Sequence, residues 1–83
     1  MSNIENEIKI LLNLFNSAKF DILITKAKKI IRKTPEYLIL YNILGSAYQN
    51  IGELKLAKET FTKGYKMDPN NIAIMNNLAN VYK

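Results

Sequence analysis

At 83 residues, 48% of them hydrophobic, the chain is one small domain with a limited core, and it is too apolar for a disordered tail. Twelve basic and seven acidic side chains give a net charge of +5, and the lack of cysteine and histidine excludes disulfides, thiolate metal sites and the commonest catalytic bases and nucleophiles. No apolar run approaches about 18 residues, and the opening Met1-Ser2-Asn3-Ile4-Glu5 lacks the basic start and apolar core of a signal peptide, so neither a membrane span nor a leader is expected.

Ser2, with Glu5 three residues on, reads as a capping box for a first helix in which Ile4, Ile8, Leu11, Leu12 and Phe15 recur at helical spacing. Asn16-Ser17-Ala18-Lys19 reads as a turn, and a second helix follows over about Phe20 to Lys33, with Ile22, Leu23, Lys26, Ala27, Ile30 and Ile31 along one stripe. Thr34-Pro35 should end it, because proline disfavours a helical residue before it and tolerates the first turn after it. The third helix, Glu36 to Asn50, is apolar nearly all round and is expected to be central. Gly52 suits a left-handed residue closing that helix. The fourth helix, about Glu53 to Met67, carries Leu54, Ala57, Phe61 and Tyr65, and holds Gly64 inside it. Asp68-Pro69 reads as an N-cap and first-turn proline for a fifth helix containing Ile72, Ile74, Met75, Leu78, Val81 and Tyr82.

The stretch Tyr41-x2-Leu44-Gly45-x2-Tyr48, then Ala57-x3-Phe61, then Pro69, has a fixed order and spacing. Small Gly45 and Ala57 would let two helix backbones approach, while Tyr41, Leu44, Tyr48 and Phe61 fill the space around them. The pattern resembles the tetratricopeptide repeat, with tyrosine where tryptophan is usual. Shifting the chain by the family's period of about 34 residues pairs Pro35 with Pro69, Ala18 with Gly52, Leu44 with Leu78 and Tyr48 with Tyr82. The resemblance therefore implies one domain over 1–83: a divergent first repeat at 4–37, a full repeat at 38–71 and the first helix of a third at 72–83. The implied fold is all-α, with antiparallel helical hairpins stacked as a right-handed superhelix of about five helices. In the first repeat Leu11 and Leu23 replace the small residues, Ala27 replaces Phe61 and Glu7 replaces Tyr41, so that hairpin is expected to form but to be wider.

The resemblance implies a protein–protein interaction module that binds a peptide or partner protein on the concave face lined by the first helix of each repeat. That face should present Ile39, Asn42, Ser46 and Gln49, then Ala73, Asn76, Asn77 and Asn80. A carboxamide can both donate to and accept from peptide backbone. The asparagine run is similar to the asparagine-lined superhelices of O-linked N-acetylglucosamine transferases, although only Asn77 and Asn80 match those positions and Ile43 and Ser46 interrupt the ladder. The lysine clamp that other members use for a C-terminal carboxylate has no counterpart: Ile8 and Leu12, or Asn42 and Ser46, fall there.

Ten of the twelve cations (Lys19, Lys26, Lys28, Lys29, Arg32, Lys33, Lys55, Lys58, Lys63 and Lys66) lie on or beside the second and fourth helices, on the convex side. No aromatics alternate with them to stack bases, so a solvated outer face is expected and nucleic acid is not. Carboxylates are scattered, which leaves no catalytic pair, metal site or cofactor to expect. The competing function is structural self-assembly: Met75, Leu78 and Tyr82, with Ala79 between them, form an apolar stripe through which two copies could pair as a homodimer. The expected location is cytoplasmic.

Overall fold

The computed structural model describes residues 3–82. Among them it has five helices and no strand: α1 (Ile4–Asn16), α2 (Phe20–Lys33), α3 (Leu38–Asn50), α4 (Leu54–Met67) and α5 (Ile72–Val81).

The two hairpin turns share one chemistry. At the end of α3, Gly52 has φ +82°, the Gly52 amide donates to the Gln49 carbonyl, and the Glu53 amide donates back to Tyr48 at 2.9 Å. At the end of α1, Ala18 has φ +57°, its amide donates to Phe15, and the Lys19 amide donates to Leu14 at 2.9 Å. Both close the helix with a left-handed residue and a bond reaching five residues back, which satisfies carbonyls the helix would otherwise leave open. Alanine carries a Cβ penalty there that glycine avoids. Phe15 and Phe20 meet edge to face across the first turn, with centroids 5.3 Å apart.

The joints after α2 and α4 differ from what the sequence pattern predicts. The third helix begins at Leu38, not Glu36, with Tyr37 in extended backbone at its N-cap. The Tyr41 hydroxyl donates to the Pro35 carbonyl at 2.9 Å and ties the joint to α3. The N-cap of α5 is Asn71, whose side chain accepts from the Ile74 amide at 3.0 Å. Asp68 instead closes α4, and its carboxylate accepts from the Asn70 amide at 3.3 Å, so Pro69 sits in a turn ahead of the helix. The expected Ser2 cap lies outside the described residues, and α1 starts after Asn3 without a side-chain cap bond.

Helix α3 touches all four other helices, as its apolar circumference requires, and buries Leu40, Tyr41, Ile43, Leu44, Gly45, Ala47 and Tyr48. Contacts run α1 to α3 and α3 to α5, whereas α2 and α4 do not meet. Helices α1, α3 and α5 therefore form an inner row, with α2 and α4 outside it. Gly45 lies against the ring of fully buried Phe61: a Cβ added there would stand 2.7 Å from Phe61 Cδ1 and Cζ. Gly64 does the same for the next helix, since a Cβ would meet Ile74 Cδ1 at 2.8 Å and Leu38 Cδ1 at 3.1 Å. Where bulk replaces these small residues, Leu11 and Leu23 are both fully buried and Ala27 completes the site. Accordingly fewer backbone positions of α1 and α2 lie close together than of α3 and α4, in line with the wider first hairpin expected from the sequence.

Candidate protein-binding surface

The inner row brings α3 and α5 side by side, and their polar faces meet through one bond. Asn77 Nδ2 donates to Asn42 Oδ1 at 2.9 Å, across 35 positions of sequence. A carboxamide offers two donors and an acceptor with two lone pairs, so this bond leaves the Asn42 amino group, the Asn77 carbonyl and one Asn77 N–H with capacity to spare. Ser46 and Gln49 follow Asn42 at one and two turns and are half-buried. The Ser46 carbonyl accepts from Asn50 Nδ2 at 2.8 Å, which fixes the end of this face. On α5, Asn76 and Asn80 are exposed, while Ile74, Leu78 and Val81 turn toward the core. The amide face borders apolar surface: Ile39 is 41% exposed one turn before Asn42, and Leu12, one repeat period before Ser46, is 42% exposed.

The residues of the apolar stripe part company. Leu78 is half-buried and packs against the core, leaving Met75 (46% exposed) and Tyr82 (62%) at the surface. Lys58 Nζ stands 4.6 Å from the Tyr82 ring centroid, a cation–π contact at the stripe's end. The ten cations of the outer helices are all exposed.

The outer side holds a feature that the sequence pattern does not predict. Because α2 and α4 stand apart over α3, an open cleft of about 480 Å³ lies between them. Leu44 and Tyr48 form part of its floor, Lys28 and Arg32 rise from α2, and Glu59 and Lys63 rise from α4. Burial first, then the charges of Glu53 and Glu59, pushes the Tyr48 hydroxyl above its ordinary pKa of 10.0. The near-complete apolar circumference of α3 was the one available hint, since part of it has only a groove above it. Among the described residues there is no group of carboxylates placed to hold a metal ion, and no helix is long and apolar enough to cross a membrane.

An inner row of packed helices with an outer row that does not close is the arrangement of an α-helical repeat. Residues 38–71, which hold α3, α4 and the joint after them, match the tetratricopeptide repeat, a unit that generally mediates protein–protein interaction. Two curated relatives share part of the chain. The ycf37 protein of Porphyra purpurea is 41% identical over 44 residues, and the ycf37 protein of Pyropia yezoensis is 36% identical over 44 residues. In each case the match covers 53% of this chain and only 25% of the relative, so the chain spans about a quarter of the length of these proteins.

Proposed function

We propose that this chain is a binding module that holds an extended segment of a partner protein against the inner row of α1, α3 and α5. The observation that carries the reading is the Asn77–Asn42 bond, which presents two amides at one place with unused donors and acceptors. Asn76, Asn80, Ser46 and Gln49 extend that polar surface, and exposed Ile39 and Leu12 offer an apolar seat for a side chain beside it. Main-chain recognition of this kind is tolerant of sequence, with selectivity supplied by the apolar seat. The proposal takes 4–37 as a divergent first repeat and 72–83 as the first helix of a third. It is supported by the matching left-handed residues at Ala18 and Gly52 and by the same five-residue closure at both turns. A cytoplasmic location is part of the proposal and fits a fold that uses no disulfide.

The test is selection of binders from a random peptide library, followed by affinity measurement on Asn42→Ala, Asn77→Ala and Asn80→Ala. Loss of about 1–3 kcal/mol on combining two of these is expected, two hydrogen bonds' worth. Selected peptides that bind all three variants like the parent would contradict the reading.

A second reading, homodimerisation, is favoured by the exposure of Met75 and Tyr82 on one flank of α5. With Leu78 already committed to the core, two side chains of roughly 1.5–3 kcal/mol each face association costs of about 4–15 kcal/mol, so such a dimer is weak. Light scattering that finds only monomer at millimolar concentration would exclude it.

A further inference from the structure

The cleft between α2 and α4 lies on the face opposite the proposed peptide surface, and it carries an independent set of groups. Its walls bring Lys28 and Arg32 from one helix within reach of the same opening as Lys63 from the other, against the carboxylate of Glu59 in the lining and that of Glu53 acting on the Tyr48 hydroxyl. Among the described residues none of the three cations is engaged in an ion pair, so their charge is not spent within the fold. Beneath them lie apolar side chains, Leu44, Ile31 and Leu56, beside Thr60 and Tyr48, and Tyr48 is an aromatic whose hydroxyl makes no hydrogen bond to another described residue. A purely solvated lysine face would have neither an apolar floor nor a concave shape. The volume of about 480 Å³ falls within the roughly 300–1,000 Å³ typical of ligand clefts.

We propose that this outer cleft docks an acidic segment of a partner protein, which seats one large apolar side chain on Leu44 and Tyr48 while flanking carboxylates meet Lys28 and Arg32 on one wall and Lys63 on the other. Charge complementarity selects the acidic segment, and the apolar floor selects a peptide over a bare polyanion. The hydroxyl of Tyr48 is a further donor for a carboxylate or carbonyl of that segment. Glu59, with Glu53 acting on the Tyr48 hydroxyl, opposes the ligand's charge and sets a limit on its affinity. The site does not depend on the inner row, so a partner bound there can be held at both faces at once.

The test is fluorescence anisotropy with a labelled peptide in which glutamates flank a single phenylalanine, measured on the intact chain at low salt. Arg32→Ala combined with Lys63→Ala, one residue from each wall and both exposed, should weaken binding by about two- to thirty-fold, the range for two exposed ion pairs. Glu59→Gln should strengthen binding, and replacing the peptide's phenylalanine by alanine should weaken it by about tenfold or more. Asn42→Ala with Asn77→Ala should leave this affinity unchanged, which separates the outer site from the inner one. The proposal is overturned if the peptide fails to bind at millimolar concentration or if the Arg32/Lys63 variant binds like the parent. It is equally overturned if single-stranded RNA or phosphatidylserine vesicles bind at least as tightly and the phenylalanine contributes nothing.

Discussion

Replacing Gly45 by alanine sets two known effects against each other at one atom. Alanine favours the middle of a helix over glycine by about 1 kcal/mol, so on an open face the substitution would stabilise. Here the new Cβ would lie 2.7 Å from Phe61 Cδ1 and Cζ, when carbon atoms in comfortable contact stand about 3.5–4.0 Å apart. The ring has little room to retreat, because Phe61 is fully buried among core residues that include fully buried Ala57. Overpacking of a core by one such group costs typically about 1–3 kcal/mol, and less the gain in helix propensity this leaves Gly45→Ala destabilising by up to about 2 kcal/mol. In a domain of this size that lowers Tm by up to roughly 16 °C. The assay is urea and thermal denaturation followed by far-UV circular dichroism. A double-mutant cycle with Phe61→Leu locates the cause: the smaller side chain opens a cavity by itself, but with alanine at 45 the two costs should sum to less than additive, with about 0.5–3 kcal/mol of coupling. A Gly45→Ala protein more stable than the parent, or strictly additive costs in the cycle, would show that the ring does not press on this position.

Gly64→Ala should be milder than Gly45→Ala, since the nearest atom is the mobile Cδ1 tip of Ile74, and the same melts rank the two. Ala18→Gly should stabilise by about 1 kcal/mol by removing a Cβ from a left-handed residue, and an unchanged urea midpoint would argue against that backbone. Asn71→Ala should destabilise by about 0.5–2 kcal/mol through the lost cap of α5, whereas Asp68→Ala should do less; the opposite order would put the cap back on Asp68. The raised pKa of Tyr48 means that folding favours its neutral form. Its contribution is thus fully present below the ordinary tyrosine pKa of 10.0 and is lost as pH climbs through the higher folded value. Urea titrations at alkaline pH should show Tyr48→Phe losing less stability than the parent over that range.

The repeat was legible because its key positions are sterically distinctive. Gly45, Gly64 and Phe61 each do in the structure what their size and spacing imply, and α2 starts and stops where its stripe does. Helix starts were harder at the joints. Asp68-Pro69-Asn70-Asn71 offers three residues able to cap a helix, and only the path of the chain into α5 selects Asn71. The pairing of Asn77 with Asn42 was not legible, since it depends on the axial offset between two helices 35 positions apart in sequence. The same holds for Leu78, which helical spacing groups with Met75 and Tyr82 but which the packing of α5 on the core withdraws from their surface. The outer cleft is a gap between helices, and local pattern carries no signal for the distance between α2 and α4.

The most direct test of the inner-row proposal is a nitrogen-15 correlation spectrum recorded while a library-selected peptide is titrated in. Side-chain amide groups give their own resonance pairs, so Asn42, Asn77 and Asn80 can be followed individually alongside the backbone. Saturable shifts of these three pairs and of Ser46 and Ile39 are expected, with the resonances of Lys28, Arg32 and Lys63 unmoved. Shifts confined to α2 and α4, with the Asn42 and Asn77 amides stationary at saturation, would contradict the inner-row proposal.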